Sequence, residues 1–251
     1  MAWKNLHQVM GKIFDSKRGS LGVKKQQKKP FKFEALEERQ LLSVTVYDQN
    51  PDDGGTALGV YADAELQNVL NNFDAGWVVL DHGTQDNPSD GAPYVGNYSL
   101  NAGHNLTIVG PGQTLQGAGG GSVLKMTGSG NVTLIGLEIT GGNAVNGGGI
   151  NVFGPELSLI DCQVTGNTAA PLAGQGGYGG GIYAKQSDLS LFNTSVSENN
   201  AYTGGGIHAE NQSTVNMDAD SDLTGNTALQ QGGGINIDMS DLNLAGSVQS
   251  N

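Results

Sequence analysis

The word Gly-Gly-Gly-Ile occurs four times, at 147–150, 179–182, 204–207 and 232–235, and each occurrence opens the same phrase of residues. Beyond each Ile stands an apolar-polar-apolar trio: Leu157-Ser158-Leu159, Leu189-Ser190-Leu191, Val215-Asn216-Met217 and Leu242-Asn243-Leu244. A further apolar position follows at Val164, Val196 and Leu223, and three residues after each comes an Asn, at 167, 199 and 226. Self-similarity at a period of roughly 20 to 50 residues is the mark of a repeat architecture, so the chain must fold as stacked units.

The trio continues backwards through less regular sequence. Val132 with Leu134, Leu106 with Ile108, and Val78 with Leu80 extend it, so trio starts fall at 78, 106, 132, 157, 189, 215 and 242. The repeat is too short for paired helices, and its period-two alternation marks strands with one buried face. The fold expected is all-β: a right-handed parallel β-helix solenoid of about seven coils, each coil turning a triangular section with three short strands. Ile150 with Val152, Ile182 with Ala184, Ile207 with Ala209 and Ile235 with Ile237 line one wall. The trios line the second, and Ile139, Val164, Val196 and Leu223 belong to the third. At about 4.8 Å per coil the rod is roughly 30 Å long.

The glycines supply positive φ and close approach at the corner before the first wall, where a Cβ would clash. Asn167, Asn199 and Asn226 mark another corner, where Asn tolerates the left-handed conformation and can bond its neighbour in the next coil. The longest coil is expected to bulge at Ala169–Tyr178. The single cysteine, Cys162, permits no internal disulfide and reads as a small core residue of a strand.

Charge divides the chain at residue 43. Residues 1–43 hold ten of the twelve Lys and Arg, whereas 44–251 hold two Lys and twenty acids, a formal charge of −18. Such a body disfavours nucleic acid, whose phosphates demand cationic contacts. No stretch is long and apolar enough for a transmembrane helix, and no secretory h-region stands near Met1. Trp3, Leu6, Met10 and Ile13 lie near one helical face. Residues 1–16 are therefore either a short basic amphipathic helix able to touch anionic lipid or an unstructured basic leader. The Lys-rich stretch from Ser16 to Lys32 is expected to be disordered. A lead-in strand follows at Val44–Tyr47. Leu66, Val69, Leu70 and Phe73 then recur at helical spacing, with Asp63 as N-cap, and predict a helix over about 63–73 that caps the open end of the solenoid.

Three family resemblances follow from these residues. Phe33-Glu34-Ala35-Leu36-Glu37-Glu38-Arg39-Gln40-Leu41-Leu42-Ser43 resembles the LEPR-XLL segment of large bacterial surface and secreted proteins, with Glu38 where the family carries Pro. From about Leu66 onward the chain resembles the pectin-lyase-like β-helix superfamily. Its Gly-Gly-Gly-Ile and Asn words resemble the repeats of polymorphic outer-membrane proteins, which usually write Gly-Gly-Ala-Ile and Phe-x-x-Asn. Together the resemblances imply a bacterial extracellular or cell-surface location. The organisation expected is a basic leader with the LEPR-XLL-like segment at 1–43 and a β-helix at 44–251. The last coil reaches Asn251 without a cap, so the expectation is a piece of a longer protein.

Signals for chemistry are sparse. A pectate-lyase reading requires a basic residue to remove a proton beside a uronate, with calcium held by clustered Asp. Residues 40–251 contain no Arg, and Lys125 and Lys185 are the available bases. A glycosidase reading needs paired carboxylates, which Asp161, Asp188, Asp218, Asp220 and Asp222 could offer. Asp218, Asp220 and Asp222 also form the densest acidic spot and the candidate calcium ligands, although Leu223 breaks the EF-hand pattern. His82, His104 and His208 have no partner at metal-ligand spacing and read as surface residues. Gly174–Gly179 satisfies Gly-x-Gly-x-x-Gly by letter but lies outside any βαβ unit. No cofactor is expected beyond that calcium. The reading is a non-enzymatic, exported β-helix, a stalk or adhesin presenting its walls to polysaccharide or to cell-surface proteins. The alternative is a polysaccharide lyase or glycoside hydrolase of the same fold.

Overall fold

The computed structural model describes residues 43–62, 65–72, 76–81, 92–172 and 176–251. The basic leader, the LEPR-XLL-like segment, Asp63, Phe73 and His82 lie outside the described residues. The chain divides between Gln40 and Leu41, and every described residue belongs to the second unit.

That unit is a parallel β-solenoid. Alternation sends one side of every strand inward, and the register stacks like on like. On the glycine wall six strands pair in parallel, from Tyr98–Ala102 through Leu124–Gly128, Ile150–Phe153, Ile182–Lys185 and Ile207–Glu210 to Ile235–Asp238. Ile150 faces Ile182, Ile182 faces Ile207, and Ile207 faces Ile235. On the trio wall Leu157 lies between Val132 and Leu189, and Val215 between Leu189 and Leu242. The third wall stacks Leu115, Ile139, Val164, Val196, Leu223 and Val248. Up to Leu223 these columns merge into one buried apolar core, with Ile235 partly buried against it and Leu242 and Val248 of the last coil exposed. Cys162 belongs to it, fully buried, with its thiol donating to the carbonyls of Ile160 and Leu134 at 3.3 and 3.4 Å.

Three features depart from the expected pattern. The first trio is shifted by two residues: Gly76 pairs with Leu106 and Val78 with Ile108. An even shift keeps Val78 and Leu80 facing inward, so periodicity could not reveal it. A separate four-stranded sheet, Asn143–Ala144, Thr168–Ala169, Asn200–Thr203 and Thr227–Gln231, follows the Asn corner, so the section is not a simple triangle. The asparagines themselves do not adopt the left-handed conformation. The residues before them do, with φ of 65° at Gly166, 54° at Glu198, 65° at Gly225 and 51° at Ser250.

What the asparagines supply is a continuous amide ladder. The Asn199 Oδ1 accepts from the Asn167 backbone N–H at 2.9 Å and from its Nδ2 at 3.1 Å. Asn199 repeats both contacts onto the Asn226 Oδ1, at 3.1 and 3.0 Å, and Asn226 repeats them onto Asn251. Each Nδ2 also donates to a carbonyl of the preceding coil, Ile139, Val164 and Val196 in turn. The corner therefore has no orphaned polar group despite complete burial of Asn167, Asn199 and Asn226.

The glycine word solves a different problem at each letter. Gly147 has φ +60°, a left-handed turn that L side chains rarely adopt. At Gly149 a Cβ would come within 2.8 Å of the Gly181 carbonyl and 2.9 Å of the Asn167 Nδ2. The third Gly is thus fixed by the Asn ladder, a contact between two corners far apart in sequence.

At the N-terminal end, strand β1 (Ser43–Tyr47) pairs antiparallel with both β2 (Ala57–Ala62) and β3 (Gly76–Asp81). Helix α1 (Leu66–Asn72) buries Leu66, Val69 and Leu70. Its Gln67 Nε2 donates to the Ser99 carbonyl at 2.7 Å, while its Oε1 accepts from the Ser99 N–H at 2.8 Å. The side-chain amide thereby stands in for a peptide group of a preceding coil at the edge of the glycine wall.

Truncation of Asn199 to Ala leaves the Asn167 N–H and the Val164 carbonyl buried without that partner. The expected loss is about 3 kcal/mol by chemical denaturation. Asn243→Ala, which removes an exposed amide pair with Asn216, is expected to change stability by no more than about 0.5 kcal/mol.

Candidate functional site

The register that stacks the core also stacks the outward residues. On the glycine wall one outward column runs Ser99, Lys125, Asn151, Tyr183, His208, Asn236 and the other Asn101, Thr127, Phe153, Lys185, Glu210, Asp238. Neighbours within a column are about 4.8 Å apart, so adjacent coils place their side chains in contact.

Four of these residues make the densest chemistry among the described residues. The Glu210 Oε1 accepts the Tyr183 hydroxyl at 2.8 Å and lies 2.7 Å from the Lys185 Nζ. Its Oε2 is 3.5 Å from the His208 Nε2. The His208 ring sits 4.9 Å from the Tyr178 ring, tilted by 42°, and is stacked on Tyr183 at 5.8 Å. Although His208 points away from the core, it is only 3% exposed, and neither ring nitrogen has a hydrogen-bond partner. The expectation that it is a surface residue is therefore corrected. It is outward by alternation and buried by the two tyrosines laid against it.

The electrostatics follow from this crowding. Burial holds the His208 imidazolium below its ordinary range, outweighing the opposite pull of Glu210 and Asp238. Burial pushes Glu210 up, but hydrogen bonds from Lys185 and Tyr183, with the Lys185 and His208 charges, bring its carboxyl below the usual range. Tyr183 is pushed up by burial and by its hydrogen bond to Glu210. Glu210 is thus a shared anion, and Lys185 could serve as a base only by leaving it.

Tyr178 reaches the cluster from the bulge expected in the longest coil. It is held by single parallel bridges to Asn146 and Thr203. The Gly177 carbonyl accepts from the Tyr202 and Thr203 amides at 3.0 and 2.9 Å. Gly176 lies against the Tyr178 and Tyr202 rings, where a Cβ would meet both at about 3 Å. The glycines at 176–179 therefore seat aromatic rings and lead into a corner, while Gly174 and Gln175 lie outside the described residues.

The other sequence candidates are dispersed. Asp218 accepts from Ser221 at 2.6 Å and from the Asn193 amide, and Asp222 accepts from Ser195 at 3.1 Å, while Asp220 is exposed. Asp161 accepts from Asn193, and Asp188, Lys125 and His104 are exposed. Among the described residues no group of three or more His, Cys, Asp or Glu side chains is placed to hold a metal ion. No described helix is long and apolar enough to cross a membrane. Comparison with protein-family models, with curated proteins and with solved structures finds no match for this chain.

The His208–Glu210 cluster had a legible signal. Aligning coils on the Ile of the glycine word sets Tyr183 beside His208 and Lys185 beside Glu210. Tyr178 stands in register with Asn146 and Thr203, directly before the glycine word, but alternation does not show that its ring lies against His208.

Burial pushes the Cys162 thiol up to about 11, so almost none is thiolate near neutrality. Maleimide labelling of the native protein at pH 7.5 is expected to be at least about a hundredfold slower than labelling of the urea-unfolded chain.

Proposed function

We propose that this protein is an exported or cell-surface β-helix module that works without catalysis, as a stalk or adhesin binding polysaccharide or other surface proteins through its outer walls. The observation that carries the reading is Phe153, an aromatic ring 45% exposed on a rigid parallel wall. Its column neighbours are Thr127 and Lys185, and Asn151 and Lys125 stand in the adjacent column. An exposed ring stacks on the apolar C–H face of a sugar, while amide, hydroxyl and ammonium groups beside it bond the ring hydroxyls or a uronate. Strands pre-organise the platform, so little ordering entropy is lost on binding. The resemblance of the repeats to pectin-lyase-like and polymorphic outer-membrane proteins, and of residues 33–43 to LEPR-XLL segments, supports the location.

The gathering of Tyr183, Lys185, His208 and Glu210 on an outer wall favours a second reading, a polysaccharide lyase or glycoside hydrolase. Against it, Lys185 is committed to Glu210 and the imidazole is shut from solvent.

Two measurements decide between the readings. A glycan array probed with the full chain is expected to show binding that falls about tenfold, or about 1.4 kcal/mol, in Phe153→Ala. Silence across the array would leave only the stalk. Incubation with polyuronates and neutral glycans, with and without calcium, is expected to release no new chain ends. Turnover that disappears in Lys185→Ala would establish the enzyme instead.

A further inference from the structure

His208 is the described side chain whose chemistry the binding reading leaves unused. It carries two polar atoms in a nearly closed site, and in the neutral ring both lack hydrogen-bond partners. The titratable and charged groups around it are Glu210 on its own strand, Tyr183 and Lys185 on the preceding coil, Tyr178 from the bulge and Asp238 on the following coil. Adding a proton gives two N–H donors. The Nε2–H faces the Glu210 Oε2 at 3.5 Å, too long for a good hydrogen bond, and the Nδ1–H faces no acceptor. A buried cation with an unpaired donor is costly, and the faces of Tyr178 and Tyr183 offset only part of that cost.

The strain must be relieved where the surroundings are weakest. Ile207–Glu210 is paired along four residues on both sides, so His208 cannot move with its strand. Tyr183 is likewise fixed between Asn151 and His208 in the ladder. Tyr178 has one isolated bridge on each side, so its release must open the Tyr178 N–H bond to the Val145 carbonyl, the Gly147 N–H bond to the Tyr178 carbonyl and the bonds of the Gly177 carbonyl to Tyr202 and Thr203.

We propose that His208 is an acid-operated latch: protonation of its ring draws Glu210 away from Tyr183 and Lys185 and releases the Gly176–Tyr178 segment from the wall. Release lets the imidazolium reach water and bares the Tyr178 and Tyr183 rings on the wall that carries Phe153. The outer face then presents a larger aromatic surface at acid pH than at neutral pH. The proton comes from solvent and no covalent bond changes.

The sign follows from linkage. The closed state holds the neutral ring and the open state takes up one proton at the ordinary imidazole value. The closed state is therefore fully favoured above about pH 6.5, and its opening constant rises by up to about tenfold per pH unit below that until the buried ring itself takes up a proton.

The test is amide hydrogen exchange on the full chain at pH 7.5 and pH 5.0, with the intrinsic pH dependence of exchange divided out. Exchange at Tyr178, Gly179, Tyr202 and Thr203, whose amides are bonded in and around the segment, is expected to rise more than tenfold at the lower pH. Exchange across Glu156–Ile160 is expected to hold, and the rise to vanish in His208→Phe. An unchanged segment at pH 5.0, or the same rise in His208→Phe, overturns the latch. Should that variant fail to fold, the ring protons of His208 in the wild-type NMR spectrum supply the check. Their titration is expected to run in step with the exchange, and an imidazole that titrates while the segment stays protected overturns the proposal.

Discussion

Among the described residues the coils pair in parallel with the coils before and after them, in register apart from shifts at Val109/Gln113 and Ala201/Thr203. That single constraint decides what each position can be. A residue facing the core must stack on its own equivalent about 4.8 Å away, so its column stays apolar from coil to coil. Leu157, Leu189 and Val215 share one column, and Ile150, Ile182 and Ile207 another. The same rule holds for polar groups. Asn167, Asn199 and Asn226 are wholly buried because each bonds an identical residue in the next coil as well as a carbonyl of the preceding one. The ladder in turn fixes the glycines, since the Asn167 amide occupies the space where a Cβ of Gly149 would stand.

A one-dimensional ladder has ends, and an end exposes unpaired peptide groups and apolar side chains. Near Leu66 the chain meets this with a short helix whose three apolar residues cover the core. The Gln67 amide completes the hydrogen bonds of Ser99, and β1 and β2 cover the trio wall by antiparallel pairing, which requires no coil geometry.

The outside of the solenoid obeys the same register with fewer restrictions. Its columns need not match, and where unlike residues fall together they create local chemistry. Tyr183, Lys185, His208 and Glu210 meet because two consecutive coils place them at the same two outward positions. The bulge that carries Tyr178 then changes a surface pair of columns into a closed site. Binding at Phe153 and a latch at His208 would both draw on a wall whose backbone cannot yield.

The repeat words determined the parallel solenoid, the walls and the burial of each column, because periodicity reports which side of a strand meets the core. They also located the Asn ladder and the corner glycines. They did not determine the two-residue shift at Gly76, since an even slip preserves every inward residue and leaves the alternation unchanged. Nor did they distinguish the corner Asn from the left-handed residue before it, because both occupy the same turn. The burial of His208 was decided by the tertiary structure alone. Alternation says only that its side chain leaves the core, and whether it meets water or two tyrosine rings depends on how the Tyr178 and Tyr183 rings of the preceding coil are laid against it.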